Sequence, residues 1–205
     1  MNDRSWNLTM SRRGIRIIPK TKDPMTPLVH HSMERGWSLE GAIPRDAARR
    51  ESGELTYLVL ENQTYVILRE DALTGVHYFT IWGPAEAEIA REIRELVNSY
   101  TERELIEWWD RAAASDDVDD KVDAVLFLGA GAPSVPDDAI NDRLRAALQD
   151  PDKDVRNAAV VGAAYADWDV LKPDLEAVAA GDPDGTIRAR ANVVLANWGR
   201  QEQTR

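Results

Sequence analysis

Between residues 54 and 82 apolar side chains recur with a period near two, and from residue 85 onward they recur every three or four positions. The segments L-T-Y-L-V-L, T-Y-V-I-L and V-H-Y-F-T-I-W are rich in β-branched and aromatic residues, which suit a pleated, half-buried strand. Asn62-Gln63 fits a two-residue hairpin between the first two segments, and Asp71 to Gly75 a longer turn before the third. The pattern predicts a three-stranded antiparallel meander with apolar groups on both faces, so something must cover the second face. The candidate is the helix after Gly83-Pro84, where Ala85, Ile89, Ile93, Leu96, Val97 and Tyr100 form one apolar stripe and Pro84 precedes the first turn. Residues 23–100 then form a small α+β domain. Upstream, Gly14 to Ile18 fits a short strand stopped by Pro19, residues 21–27 read as a turn or loop, and residues 28–52 carry a helical turn or two interrupted at Gly36, Gly41 and Pro44.

From Thr101 the pattern is helical almost to the end of the chain. Thr101 and Glu104 form a capping-box signature before Leu105, Trp108, Trp109 and Ala112. Helices follow at about 117–130, 137–149, 153–166, 170–180 and 185–198, with Asp, Pro and Gly at the junctions. Three helix pairs result, and the sequence repeats with them. D-P-D-K-D-V-R-N-A-A-V begins at Asp150, and D-P-D-G-T-I-R-A-R-A-N begins 32 residues later at Asp182. A fainter copy lies 33 residues upstream of the first, where Asp117, Asp119, Val122, Ala124 and Gly129 fall under Asp150, Asp152, Val155, Asn157 and Gly162. A helical period in the thirties is the mark of an α-solenoid.

The shared motif D-P-D-x-x-[VI]-R-x-x-A is carried by Asp150, Pro151, Asp152, Val155, Arg156 and Ala159, and again by Asp182, Pro183, Asp184, Ile187, Arg188 and Ala191. In this motif the chain resembles HEAT repeats of the short bacterial type, over residues 101–200. Pro and Asp end one helix and start the next, and the Asp side chain accepts free N–H groups of the new helix. The resemblance implies that Val or Ile packs between paired helices and that Arg and Asp of neighbouring repeats form a ladder along the turns. The first copy departs from it: Asp123 stands where Arg would be and Val118 where Pro would be. The fold class is therefore α+β, a small N-terminal α+β domain followed by a short all-α HEAT-like solenoid of three helix pairs. A basic arm (1–22) and a polar tail (201–205) flank the two parts.

Composition narrows the function. The chain has 205 residues, 43% hydrophobic and 30% charged, with no cysteine, so disulfides, thiolate metal sites and a cysteine nucleophile are excluded. No apolar run is long enough to span a membrane, and the N-terminal segment lacks the apolar core of a signal peptide, so a cytoplasmic protein is expected. Residues 1–100 carry 13 Lys and Arg against 14 Asp and Glu, whereas residues 101–205 carry 12 against 22. That acidity disfavours direct nucleic-acid contact on the repeats and favours a basic protein partner. An immunity- or antitoxin-like inhibitor, or an adaptor, is one concrete version. The basic arm alone (Arg4, Arg12, Arg13, Arg16, Lys20 and Lys22) could touch nucleic acid, or lie across the acidic region of the same chain.

Two features single out a contact surface. Asp116, Asp117, Asp119, Asp120 and Asp123 are the densest charge on the chain, tolerable when solvated or met by cations. Trp108 and Trp109 are adjacent on a helix and point about 100° apart, so one belongs to the core. The other is either a partner anchor beside Glu104, Glu107 and Asp110 or packs on the α+β domain. The remaining candidates are weaker. Asp150, Asp152 and Asp154 imitate a calcium loop, but Val155 and Val161 occupy its required Gly and Glu positions, so capping explains them better. His30 and Glu34 share a helical face without a nearby third ligand, and no metal or cofactor is expected. No P-loop, G-x-G-x-x-G or G-x-S-x-G motif occurs. The alternative function is an enzyme or enzyme accessory, with a site in the α+β domain or at its junction with the solenoid, built on His30 or His77 beside buried carboxylates.

Overall fold

A computed structural model of the chain describes residues 14–46, 48, 52–72 and 74–198. Arg4, Arg12 and Arg13 of the basic arm and the polar tail lie outside the described residues. Five antiparallel strands form one sheet: β1 (Ile15–Ile17), β2 (Ser38–Ile43), β3 (Gly53–Val59), β4 (Thr64–Glu70) and β5 (His77–Trp82), in the order β1-β5-β4-β3-β2. The expected meander is β3 to β5, and the short strand expected over Gly14 to Ile18 is β1, which adds to the free edge of β5. The turn between β3 and β4 has four residues, 60–63, rather than the expected two. Val59 faces Thr64 across it, the Asn62 carboxamide oxygen accepts the Thr64 N–H, and Gln63 takes φ +56°. The side-chain bond of Asn62 stabilises this wider loop as an Asx turn.

Residues 28–52 behave differently from their reading. Helix α1 (Met25–Glu34) continues without interruption to Arg35, and Gly36 turns the chain at φ +66°. An unexpected edge strand, β2, follows. Its period is broken by a bulge between Leu39 and Gly41, and Leu39 and Ile43 are exposed, so it shows none of the alternation that marks a half-buried strand.

Helix α2 (Glu86–Val97) and α1 cover the same face of the sheet. Ile89, Ala90, Ile93 and Val97 bury themselves with Leu28 and Trp37 on Ile17, Tyr57, Val66, Leu68, Phe79 and Ile81. Asn98, at φ +45°, ends α2, so Tyr100 leaves the expected stripe and packs on the following helices. Because side chains alternate across a strand, the opposite face carries Tyr65, Ile67, Tyr78, Thr80 and Trp82. The C-terminal turn of a later helix meets one end of that face. There the Tyr165 hydroxyl hydrogen-bonds Thr74 Oγ1 at 2.9 Å, its ring stands edge-on to Tyr78, and its carbonyl accepts from Arg16. Burial pushes the Tyr165 phenol above its ordinary pKa.

The second half holds α3 (Glu102–Ala113), α4 (Val118–Ala130), α5 (Asp138–Leu148), α6 (Lys153–Ala166), a 3₁₀ turn (Asp169–Leu171), α7 (Lys172–Gly181) and α8 (Gly185–Ala196). Thr101, Asp117, Asp137, Asp152 and Asp184 cap α3, α4, α5, α6 and α8 with their side chains, which is why the junctions are legible. Consecutive helices pack in pairs, α3 on α4, α5 on α6 and α7 on α8. In addition, α6 lies against both α4 and α8, and α5 against both α3 and α7. Gly129 and Gly162 make the α4–α6 contact possible, since a Cβ on Gly129 would sit 2.3 Å from the Gly162 carbonyl oxygen. Ile18, Val76 and Tyr78 join the buried cluster of the helices, so the sheet and the helical half share a core across residue 100.

Candidate interaction surface

The repeated motif folds into a set of turn contacts. Arg156 Nε donates to Asp182 Oδ2 at 2.8 Å and Nη2 to Oδ1 at 3.3 Å, with the Asp182 side chain only 3% exposed. Its Nη1 also donates to the carbonyls of Asp150 and Pro151 at 2.9 and 3.0 Å. One repeat later, Arg188 Nη1 donates in the same way to the carbonyls of Asp182 and Pro183. The Arg156 guanidinium holds the Asp182 carboxyl below the ordinary carboxylate range, the Asp184 N–H assists, and Asp182 raises Arg156 in return. Asp150 and Asp182 accept the N–H groups of Asp152 and Asp184, whose own carboxylates cap α6 and α8. Val155 and Ile187 are buried in the helical core. These ten motif residues are thus occupied within the chain.

The first copy lacks this arrangement. Asp123, in the place of Arg, is exposed, and its pKa is raised by partial burial and by the charges of Asp119 and Asp120. Asp117 accepts the Asp120 N–H as the α4 cap. Asp120 accepts the Trp108 indole N–H at 2.8 Å. Asp116, Asp117, Asp119 and Asp123 are exposed at this turn, and no Lys or Arg among the described residues forms an ion pair with any of the five carboxylates.

The two tryptophans divide as their geometry requires. Trp109 is buried in the helical core, so it presents nothing to a partner. Trp108 is half-buried, stacked on Tyr100 at 5.7 Å and tilted against Phe127 at 5.1 Å, so it anchors the end of the α+β part to α3 and α4. The acidic rim expected around it is partly consumed. Glu104 completes the α3 capping box and takes a 2.7 Å hydrogen bond from Lys20, which together draw its carboxyl down to about 2. Asp110 receives a two-pronged bond from Arg143 at 2.8 and 2.6 Å. Arg145 likewise reaches Asp174 at 2.9 Å, so α5 is tied to both α3 and α7. These ties were missed in the sequence, although Asp110 and Arg143 are one period of 33 residues apart. Applying the repeat period to the first helix of each pair would have set Asp110 against Arg143, whereas Arg145 and Asp174, 29 residues apart, fall off that period. Of the described arm cations, Lys20 hydrogen-bonds Glu104 and Arg16 the Tyr165 carbonyl.

His31 Nε2 lies 2.6 Å from Glu92, which also pairs with Arg35 at 2.9 Å. His30 is exposed, and His77 lies 3.8 Å from Glu70. Among the described residues no three His, Asp or Glu side chains converge as metal ligands, and no helix is long and apolar enough to cross a membrane. Surface depressions of about 270 and 800 Å³ are lined by neither His30 nor His77. No family model, curated protein or solved structure matches the chain.

Proposed function

We propose that the chain is a non-catalytic protein–protein interaction module. In this reading its helical half is a short HEAT-like solenoid of three helix pairs, with the sheet and its two helices as an N-terminal cap, and its acidic surface binds a basic protein. An immunity- or antitoxin-like inhibitor, or an adaptor, is the working form of such a module. The observation that carries the reading is the α3–α4 turn. Asp116, Asp119 and Asp123 are exposed there without a cationic partner among the described residues, whereas at the later turns Asp182 is met by Arg156, and Asp152 and Asp184 cap helices. Mutually repelling carboxylates gain most from a cation brought by another molecule, and such fields steer basic partners at low salt.

The test is affinity purification from the native host, with the partner retained at low and at moderate salt. Asp116, Asp117, Asp119 and Asp120 are replaced together by Asn, which still caps α4 and still accepts from Trp108. The variant is expected to lose the partner, and the wild type to release it as salt rises beyond about 0.15 M, where the screening length is near 8 Å. Equal retention by the variant refutes the proposal.

A further inference from the structure

A groove of about 800 Å³ runs between the end of β5 with the start of α2 on one side and the α4–α5 loop with the 3₁₀ turn on the other. Pro84, Pro136, Val170 and neighbouring Val135 are exposed along it, whereas Trp168 is buried and offers no surface. Its charged lining is Glu86 and Asp169, with no Lys or Arg among the described residues. Gly14 lines the same groove, so close to β5 that a Cβ there would collide with the Ile81 carbonyl. Because β1 runs antiparallel to β5, following β1 backward from Ile15 leads past the end of β5 toward Gly83 and Pro84. The segment that precedes Gly14 is therefore tethered at the groove itself. Its sequence suits the walls: Trp6, Leu8 and Met10 alternate with Asn7, Thr9 and Ser11, the period of a strand with one apolar side. Arg4, Arg12 and Arg13 stand against Asp3 alone. Extended at about 3.3 Å per residue, residues 1–13 reach about 40 Å, enough to follow a groove of this volume. A tethered segment meets its site at an effective concentration of about millimolar, which favours it over a free peptide.

We propose that residues 1–13 of the chain occupy this groove in extended form, with Trp6, Leu8 and Met10 on its prolines and valines and arginines of the arm beside Glu86 and Asp169. Apolar contact supplies the affinity, and the two carboxylates complement the charge of the arm. So placed, the arm straps the α+β part to the helical half. It also leaves the acidic α3–α4 turn open, because the groove lies beyond the C-terminal end of α4 and that turn at its N-terminal end, 13 residues or about 20 Å away. The assignment is independent of the basic-partner reading.

The chain has no cysteine, so a single one placed by Ser5→Cys or by Ser11→Cys can carry a nitroxide in the full chain. Amide NMR intensities are compared with the label oxidised and reduced. A label at position 5 is expected to erase most of the Val135 and Val170 signals, and one at position 11 those of Gly83 and Glu86. Leu8→Ser and Met10→Ser together are expected to restore most of that intensity. Glu86→Gln with Asp169→Asn is expected to restore part of it, because Gln and Asn keep the shape and remove the charge. The proposal is overturned if neither label broadens the groove signals, or if the two serine changes leave the broadening undiminished. Broadening strongest at Asp119 and Asp123 overturns it by giving the arm to the acidic turn. Broadening of the groove that fades on dilution overturns it by giving the groove to the arm of a second copy.

Discussion

Replacing Arg156 by Met removes the cation from a carboxylate that the fold has already taken out of water. Asp182 has a side-chain exposure of 3% and Arg156 one of 11%, and the two share hydrogen bonds of 2.8 and 3.3 Å. Removing one partner of a buried pair costs about 3–5 kcal/mol, and the residual exposure of Arg156 places this case near about 3. The methionine fills the aliphatic part of the site but leaves the carbonyls of Asp150 and Pro151 without their donor. For a chain of this size about 3 kcal/mol corresponds to a fall in Tm of about 6–12 °C. The pH dependence follows from the same pair. The folded pKa of Asp182 is depressed, so its contribution is complete above the ordinary carboxylate range and is lost as pH falls below about 4. Wild type and variant should therefore differ most in urea titrations at neutral pH and converge in acid. Combining Arg156→Met with Asp182→Asn should recover about 2 kcal/mol, because Asn still accepts the Asp184 N–H and no charge remains buried. A single variant within about 0.5 kcal/mol of wild type at neutral pH, or a gap that widens in acid, refutes the reasoning.

Three further outcomes are expected. Asp123→Arg supplies the motif arginine at the first copy and relieves repulsion by Asp119 and Asp120, so urea titration should show a gain of about 0.5–1 kcal/mol, with weaker capture of a basic partner. Gly129→Ala places a methyl group 2.3 Å from the Gly162 backbone, which must force α4 from α6 at a cost of about 3 kcal/mol, read as a lowered Tm. In an NMR titration the Glu104 carboxyl should titrate near 2, and Lys20→Ala should move it up toward 4.5; because the folded value is depressed, the stability it contributes is lost as pH falls from about 4.5 toward 2.

Much of the helical half was legible because its signals are local. Asp117, Asp137, Asp152 and Asp184 mark helix starts through bonds made within three residues, and the apolar period locates the buried side. The meander was legible for the same reason, since β-branched and aromatic alternation is written in each strand. What escaped depends on partners distant in sequence or on broken alternation. Strand β2 exposes Leu39 and Ile43 and carries a bulge, so its strand character comes from pairing with β3 rather than from its own pattern. Tyr100 fits the stripe of α2 by spacing, yet Asn98 in the left-handed region hands it to Trp108 and Phe127. The candidate surface was legible as an accumulation of charge. Which carboxylates are spoken for was not, because Asp120 is matched to Trp108 and Asp110 to Arg143 only after folding.

The departure from the repeat and the acidity of the surface are one observation rather than two. At the later turns an arginine sits among the motif aspartates: Arg156 lies among Asp150, Asp152 and Asp182, and Arg188 adds its charge to Asp182. At the first turn the arginine is itself an aspartate, Asp123, so the neutralising charge is removed and a further negative one added. Capping α4 needs only Asp117, and the Trp108 indole needs only Asp120. Asp116, Asp119 and Asp123 then serve no side-chain contact among the described residues, and partial burial with the charges of Asp119 and Asp120 raises the Asp123 pKa. Three carboxylates exposed at one turn without a cationic partner among the described residues concentrate negative field there, where a cation-bearing partner would relieve it. For that reason Asp123→Arg is the sharpest single test of the binding reading, since the change that returns the motif arginine should also weaken the contact.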